Sequence, residues 1–282
     1  MKFTFIFFFI LLLIIISCSF KMNEKKIKKI EYYGLHGKVE ANMANEIFSS
    51  KIGLYKAEYF DTNGNIIRES EFDKNNEENR AVESIFNNVN NIHEKINFKR
   101  YSNQPLQKTY LTRYIYNEIG LLTEILSYYK TFDSSIFWAK NIIKYNEKKQ
   151  KIQDDYTQFN DEPSKSTRIY DWKDEYNYVE DFINEEGEII DRHFVELDKK
   201  GKELKHRINF KLSSKNDNTH QVSFEYQYDE YGNIITSVDN YKDKPSQKTV
   251  NKYLYEGECW FYKLSDVNGS SFWTEFRKIE YF

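Results

Sequence analysis

The fold of this chain is decided by residues 222–235, which read VSFEYQYDEYGNII. From Val222 to Tyr228, apolar and polar residues alternate, which indicates a β-strand with one buried and one solvated face. Asp229 then favours a turn because its side chain bonds to nearby backbone, and Gly232 accepts the positive φ that closes the turn. An apolar pair follows and begins a return strand. The stretch predicts a β-hairpin.

The same block recurs along the chain: an aromatic or aliphatic residue, Asp or Asn, two variable residues, usually Gly, and soon an apolar residue. The copies are centred on Asp61, Asn117, Asn146, Asn184, Asp198 and Asp229, and the copy at Asn146 has Lys149 in place of the glycine. The intervals between these positions are irregular, at 56, 29, 38, 14 and 31 residues. We expect hairpin turns at Asp61, Asn117, Asn184, Asp198 and Asp229, each with flanking strands.

The strand-like runs number a dozen or more, and the short connections between them favour antiparallel neighbours. The predicted fold class is all-β: an extended antiparallel β-meander, with a curved or partly closed sheet allowed and at most one short helix. Residues 78–97 are the candidate helix, because apolar residues from Val82 to Ile96 follow helical spacing. Asn residues at 87, 88, 90 and 91 are poor helix formers, so the segment stays open between helix and other structure.

The best copy, Tyr228–Asn233, resembles the YD-repeat or Rhs-type β repeats. The chain is also similar to small repeat-bearing lipoproteins of Bacteroidetes type, in which such units follow a lipobox and the chain ends in a strand like Arg277–Phe282. The resemblance implies a β-repeat scaffold in the cell envelope. Large Rhs proteins form closed shells around a toxin, but no separate cargo domain follows the last copy here. Shell and toxin roles are therefore not carried over.

The start of the chain has the layout of an exported leader: Lys2, an unbroken apolar run from Phe5 to Ile16, and a small residue before Cys18. Twelve helical residues span about 18 Å, against roughly 30 Å of hydrocarbon. Residues 15–18 resemble the bacterial lipobox, with Ile15 where Leu is usual. That resemblance implies cleavage before Cys18 and attachment of lipid, including acyl chains such as palmitate. An ordinary signal-peptidase site or an uncleaved anchor are the alternatives.

These features predict three segments: a lipoprotein signal peptide at 1–17, a lipid-anchored basic tether at 18–30, and an antiparallel β-repeat domain at 31–282. The protein is expected to be exported and held on a bacterial membrane through lipid on Cys18, facing the periplasm or the cell exterior. Lysines of the tether either add attraction to anionic headgroups or only keep the segment solvated.

Composition excludes two classes of protein. A net charge of −3 argues against nucleic acid as a partner. An aromatic content of 17% is far more than disordered segments contain, so the chain is expected to fold.

If Cys18 is lipidated, Cys259 has no partner for an internal disulfide, and its apolar surroundings in sequence predict a buried structural thiol.

The sequence contains no recognisable catalytic constellation. The five histidines are His36, His93, His193, His206 and His220. They show no zinc-site spacing and are expected to be isolated surface residues. The turn at Asp61 superficially resembles a calcium loop, but Gly64 is one position early and Phe72 stands where a bidentate Glu is required. We therefore predict no catalytic residue, no metal site and no cofactor.

Four aromatic residues near the end of the chain are the candidate binding residues. They are Trp260, Tyr262, Phe272 and Trp273. On paired strands they could form a stacking surface for sugar rings or for side chains of a partner. Packing in the core is the alternative, because these are the largest apolar groups of the chain.

The sequence thus favours a non-enzymatic, membrane-anchored envelope lipoprotein, whose β-repeat scaffold binds a protein or a glycan. One alternative is an envelope enzyme, such as a glycan hydrolase with a carboxylate pair. A purely structural envelope component is the third possibility.

Overall fold

The computed structural model describes residues 26–101, 104–130, 134–160, 162–211, 219–242, 244–256 and 259–282. Its strands are β1 Ile27–His36, β2 Leu54–Phe60, β3 Ile66–Phe72, β4 Glu78–Phe86, β5 Ile92–Lys99, β6 Gln107–Tyr116, β7 Leu122–Lys130, β8 Ser135–Tyr145, β9 Lys151–Gln158, β10 Ser164–Trp172, β11 Asn177–Ile183, β12 Ile189–Leu197, β13 Glu203–Lys211, β14 Thr219–Tyr228, β15 Ile234–Tyr241, β16 Lys244–Glu256, β17 Cys259–Val267 and β18 Ser270–Tyr281. Between β1 and β2 lie a 3-10 turn, Ala41–Met43, and one helix, α1, Ala44–Ser50.

The 18 strands form one closed antiparallel barrel. Each strand pairs with the next in sequence, and β18 pairs with β1, where Phe276 lies opposite Tyr33. The all-β prediction is confirmed, but the sheet is fully closed rather than an extended or partly closed meander. Closure gives every strand two partners and removes the edges that an open sheet would expose. The pairing that closes the barrel joins residues more than 200 positions apart, which local sequence patterns do not reveal.

The helix considered for residues 78–97 is wrong, because this segment forms β4, a turn and β5. The asparagines that interrupt the helical pattern make the turn: the Asn87 side chain accepts hydrogen bonds from the backbone N–H groups of Val89 and Asn91. Asn90 takes the positive φ, 61°, that glycine takes in other copies. The one helix of the described residues, α1, lies instead in the β1–β2 connection. No helix in the described ranges is long and apolar enough to cross a membrane.

The expected turns are confirmed at Asp61, Asn117, Asn184, Asp198 and Asp229, each of which closes a hairpin. All except Asn184 lie at one end of the barrel, which we call the tight-turn end. With the turns at Asn87 and Asn146 included, successive turns at this end from Asp61 onwards are 26, 30 and 29 residues apart. The chain is therefore a regular hairpin repeat. Its regularity is hidden in sequence because Asn184 belongs to the opposite end.

That opposite end, which we call the helix end, contains α1 in the long β1–β2 connection. The described chain starts and finishes at the tight-turn end, where the Phe282 N–H donates to the Lys26 carbonyl at 2.9 Å.

Strand β1 begins at Ile27, so residues 27–30 of the predicted tether belong to the sheet. Cys18 lies outside the described residues. Cys259 begins β17 and is half-buried, where a buried thiol was expected.

The barrel is wide enough to enclose an open lumen. At about 4.8 Å per strand, 18 strands give a circumference of at least about 86 Å and a circular diameter of about 27 Å or more. Barrels with this number of strands leave a channel, which smaller barrels fill with side chains. The wall is correspondingly thin, and most of its strand residues are only partly buried.

Chirality and register tell the two faces of the wall apart. At Asp61 both backbone groups hydrogen-bond toward β3, and Tyr59, two residues earlier, has the same orientation. Consider a viewer whom the Tyr59 side chain points toward and who sees β2 run upwards. Because the residues are L-amino acids, the backbone groups of Tyr59 then point to the right, so β3 lies to the right of β2. Residues that pair directly from β5 to β10 can be followed in that direction. They begin at Glu94, near the tight-turn end, and finish at Lys165, near the helix end, so the strands lean to the right relative to the barrel axis. Right-handed strand twist gives this lean when a barrel is seen from outside, so Tyr59 is on the outer face.

The main hydrophobic cluster lies on the outer face, beneath α1. Its buried members are Tyr33, Ile47, Leu54, Tyr262, Leu264 and Phe276. Phe48 of α1 packs its ring 5.1 Å from Tyr33 and 6.3 Å from Phe276. The short helix thus covers the place where the first and last strands meet.

Candidate binding site on the inner face of the barrel

The largest aromatic residues face the lumen. All four tryptophans, Trp138, Trp172, Trp260 and Trp273, are on the inner face, as their pairings and ring contacts show. In β16 strand alternation leaves the outward Lys252 and Leu254 exposed, whereas the inward Tyr253 is half-buried. Rings therefore line part of the lumen beside ion pairs such as Arg168–Glu180, and the outer face has more of the charged groups.

Eight rings form a continuous line along the inner face, which we call the aromatic track. In order from the tight-turn end they belong to Tyr231, Tyr255, Tyr253, Trp260, Tyr32, Tyr55, Trp273 and His36. Neighbouring ring centres are 4.8 to 6.3 Å apart, except at one step. There the Arg277 guanidinium contacts both rings, 3.5 Å from the centre of Trp260 and 4.8 Å from that of Tyr32.

The track crosses five strands because the barrel is staggered. Tyr253 and Tyr255 come from β16, Trp260 from β17, and Tyr32 from β1. Trp273, on β18, lies opposite His36, the last residue of β1 at the helix end. Side chains far apart in sequence therefore follow one diagonal from rim to rim.

Polar groups accompany the rings. The Arg277 Nε is buried and has no hydrogen-bond partner among the described residues. At the tight-turn end, the Tyr255 hydroxyl donates to the Asp229 carboxylate, and the Asn233 amide donates to the Tyr255 oxygen at 3.0 Å. Burial alone would raise the pKa of Asp229, but the hydrogen bonds from Tyr255 and Asn233 outweigh it and lower that pKa. The carboxylate is thus held in its charged form.

The hydroxyls of Tyr32, Tyr55 and Tyr253 stay protonated at neutral pH. Burial raises the pKa of Tyr253 to about 12, and the nearby carboxylates of Asp229 and Glu275 add to this. Burial also raises the pKa of Tyr32 and Tyr55, each of which has a Glu as hydrogen-bond partner. The track therefore combines neutral hydroxyl groups with apolar rings. Tyr32 and Trp260 are buried, and the other six rings are partly or fully exposed.

The four candidate aromatics from the sequence do not form one surface. Trp260 and Trp273 lie on the aromatic track, at different points along it. Tyr262 points to the outer face, where its hydroxyl donates to the Val39 carbonyl at 3.0 Å beneath α1. The side chain of Phe272 lies outside what the structure describes. A binding role for any of the four stays a prediction.

Sequence reasoning missed most of the track. Tyr253 and Tyr255 were detectable, because they alternate with Lys252 and Leu254. Tyr32 and Tyr55 gave no comparable signal. Their strands, β1 and β2, are joined by the long connection, so no turn motif indicates that they pair.

Two histidines expected to be isolated are adjacent on the inner face. His206 Nε2 lies 3.1 Å from His193 Nδ1, so one ring nitrogen donates to the other. The same His193 nitrogen is 3.7 Å from a carboxylate oxygen of the buried Glu180. Burial lowers the pKa of His193 despite this carboxylate. Over the described ranges, no group of three or more His, Cys, Asp or Glu residues is placed to hold a metal ion.

Comparisons with known proteins leave the chain without a family. No family model matches it, and no curated protein does. Among solved structures it is similar to a porin-like protein from Bacteroides uniformis ATCC 8492, with 10% identity over 91% of this chain and 97% of that chain and a TM-score of 0.44. It is also similar to a chain of the TcdB2-TccC3-Cdc42 structure, with 10% identity, 77% of this chain and 15% of that chain covered, and a TM-score of 0.29. Likeness at this level assigns neither fold nor function, and membership of the YD-repeat lipoproteins stays a prediction.

Proposed function

We propose that this protein is a cell-envelope lipoprotein, attached through lipid on Cys18, whose open barrel binds a glycan chain along the aromatic track. The observation that supports this best is the continuity of the track, from Tyr231 at one rim to His36 at the other. A site for a small molecule would need only a local pocket. A line of rings along the whole lumen suits a linear polymer.

The chemistry of the track favours a sugar polymer. Sugar rings combine apolar C–H faces, which pack on aromatic rings, with hydroxyl groups that need hydrogen-bond partners. Aromatic side chains dominate binding energy at many interfaces, and Tyr and Trp add a polar group to an apolar body. The track supplies rings, neutral tyrosine hydroxyls and the unpaired Arg277 Nε.

The barrel is proposed to stand in water beside the membrane. Charged side chains lie at mid-strand on both faces: the ion pair Arg192–Asp181 at 2.6 Å is on the outer face, and Arg168–Glu180 at 3.1 Å is on the inner face. Placing one such cation at the lipid face of a membrane barrel costs about 2–4 kcal/mol. Neither face therefore suits contact with hydrocarbon, and the lumen is expected to be filled with water.

Binding of oligosaccharides to the purified full chain tests the proposal. Titration calorimetry and tryptophan fluorescence would be measured with malto-, cello- and chito-oligosaccharides of increasing length. We expect affinity to rise with chain length, and substitution of the partly exposed track residue Trp273 (Trp273→Ala) to weaken binding about tenfold or more. Trp172→Ala is the matched control, because Trp172 is an inner-face tryptophan outside the track. Its ring packs 4.7 Å from that of Tyr178, and its indole N–H donates to the Lys151 carbonyl at 2.8 Å.

Equal losses in the two variants would refute the role of the track. Failure of every oligosaccharide series to bind would refute the glycan. The anchor is tested separately by mass spectrometry of the membrane-extracted protein, in which the first residue should be an acylated Cys18. Release of the Cys18→Ala variant from the membrane fraction would support the same attachment.

A further inference from the structure

The tight-turn end has exposed apolar residues at its outermost points. Three turns at this end, which begin at Asn87, Asn117 and Asp174, have an apolar residue at the third position, the tip of the hairpin. These tips are Val89, Ile119 and Tyr176, which are 72%, 65% and 36% exposed. Asx-type turns strongly favour polar residues, so no rule of turn formation calls for large apolar groups here. Single exposed apolar residues are ordinary, so these tips point to an interaction only if they belong to a larger apolar surface.

A second set of exposed apolar residues encircles part of the outer wall just below these tips. Its members are Ile85, Ile115, Ile142 and Leu254, each 40–46% exposed. The last residue of the chain, Phe282, is 58% exposed at the same end. Tips and wall residues together form a surface that we call the apolar rim.

The helix end also exposes apolar groups, among them Tyr101 and Phe159, so exposure alone does not choose between the ends. The position at which the N-terminal segment joins the barrel does choose between them. Residues 1–25 join the barrel at Lys26, which is hydrogen-bonded to Phe282 at the tight-turn end. From Cys18 to Lys26 the chain can reach at most about 28 Å. A lipid on Cys18 therefore keeps the apolar rim, rather than the helix end, close to the bilayer.

We propose that the apolar rim docks on the lipid surface, with Val89, Ile119 and Tyr176 seated among the headgroups and the helix end facing away from the membrane. This inference rests on the proposed attachment through Cys18. Aliphatic and aromatic residues of peripheral proteins are stabilised at this depth, and a lipid chain adds to their affinity. The charges of the turns have mixed sign, so docking depends on the apolar side chains and needs no anionic lipid. The mouth at the helix end becomes the entrance for the polymer.

Photolabelling from the bilayer tests this orientation. The full lipidated chain would be reconstituted in phosphatidylcholine vesicles that contain a diazirine-bearing phospholipid, irradiated, and mapped by peptide mass spectrometry. We expect adducts on the peptides of Val89, Ile119 and Tyr176 and none on those of Tyr101 and Phe159. Adducts mainly at the helix end, or spread evenly over both ends, would overturn the inference.

A pair of matched variants sharpens the test. The double variant Val89→Glu, Ile119→Glu should reduce adducts at Tyr176 several-fold, because charge at two tips lifts the rim, whereas Phe159→Glu should leave them unchanged. All variants are first checked for wild-type near-ultraviolet dichroism. Flotation separates the two proposals: a chain that floats with vesicles but has an unlabelled rim refutes docking alone, and one that does not float refutes the anchor and docking together.

Discussion

The sector where the barrel closes differs sharply from the rest of its wall. Strands β17, β18, β1 and β2, with α1, contain ten of the fifteen buried hydrophobic residues of the described chain. There the outer face is covered by α1 and the inner face by the aromatic track. Closing the barrel means pairing β1 with β18 across nearly the whole chain, which is the step with the largest loss of conformational entropy. The molecule concentrates its hydrophobic contacts where that loss must be offset.

The remaining wall is a nearest-neighbour repeat with solvent on both faces. Tyrosines that precede the turns bind each hairpin to the one before it: Tyr116, Tyr145 and Tyr228 donate to the carbonyls of Ile92, Leu122 and Glu203 at 2.9, 2.9 and 2.7 Å. Such repeats are stabilised through successive interfaces rather than through one core. The comparison predicts large effects of substitutions in the closing sector and modest, additive effects elsewhere.

The largest effect is expected for Phe276→Ala. Phe276 is fully buried between β17, β1 and α1, so the substitution should lower the free energy of unfolding by about 3–5 kcal/mol. Phe194→Ala is the matched control in the repeat wall, where the partly exposed ring packs on the Arg207 guanidinium. It should cost less than half as much in urea denaturation. Equal losses would show that the closing sector is not specially stabilised.

The next effect concerns the turns. Gly232 has a φ of 85°, and a β-branched residue resists this conformation, so Gly232→Val should destabilise the barrel by about 1–3 kcal/mol. Lys149 holds the same turn position with a φ of 63°. Lys149→Gly should therefore stabilise the fold by up to about 1 kcal/mol. Thermal unfolding of the two variants should shift in opposite directions, and a shift in the same direction would contradict the shared turn geometry.

A smaller effect is expected from the tyrosines that link hairpins. Tyr145→Phe and Tyr228→Phe each remove one hydrogen bond to a backbone carbonyl and should each cost about 1 kcal/mol. The double variant should cost the sum, because the two links belong to distant hairpins. Urea denaturation measures all three. A double variant that loses far more than the sum would argue against independent repeats.

The smallest effect is on pH dependence. Burial lowers the pKa of His193, so the unfolded chain takes up its proton first as pH falls below about 6.5, the ordinary histidine value. The contribution of neutral His193 to stability is complete above that pH and is lost as pH falls toward the folded-state pKa. His193→Asn should flatten the stability profile between pH 7 and pH 5. His93→Asn, at an exposed strand position, is the control, and an equal change in slope would refute the assignment.

The local elements of this fold were predictable. Asp229 and Gly232 predict their turn because Asx hydrogen bonds and positive φ act within five residues. Turns without glycine were harder to predict. Asn90 and Lys149 adopt the same positive φ at an energetic cost, and the turn at Asn87 was taken for part of a helix. The five residues of the Asn87 turn separate the apolar residues of β4 and β5 by intervals that also fit one face of a helix. Only the pairing of β4 with β5 settles that ambiguity.

By itself the sequence determined the strand class, the alternation and most of the hairpin turns, because these depend on interactions between residues close along the chain. The tertiary structure alone decided that the meander closes, which face lines the lumen, and that β16, β17, β18, β1 and β2 align their rings. Closure sums small twists and register shifts over 18 strands. Alternation alone would place Trp260 and Tyr262 on one face, but the register shift opposite Leu254 and Tyr255 turns them to opposite faces. Only the direction of curvature tells which face becomes the inside.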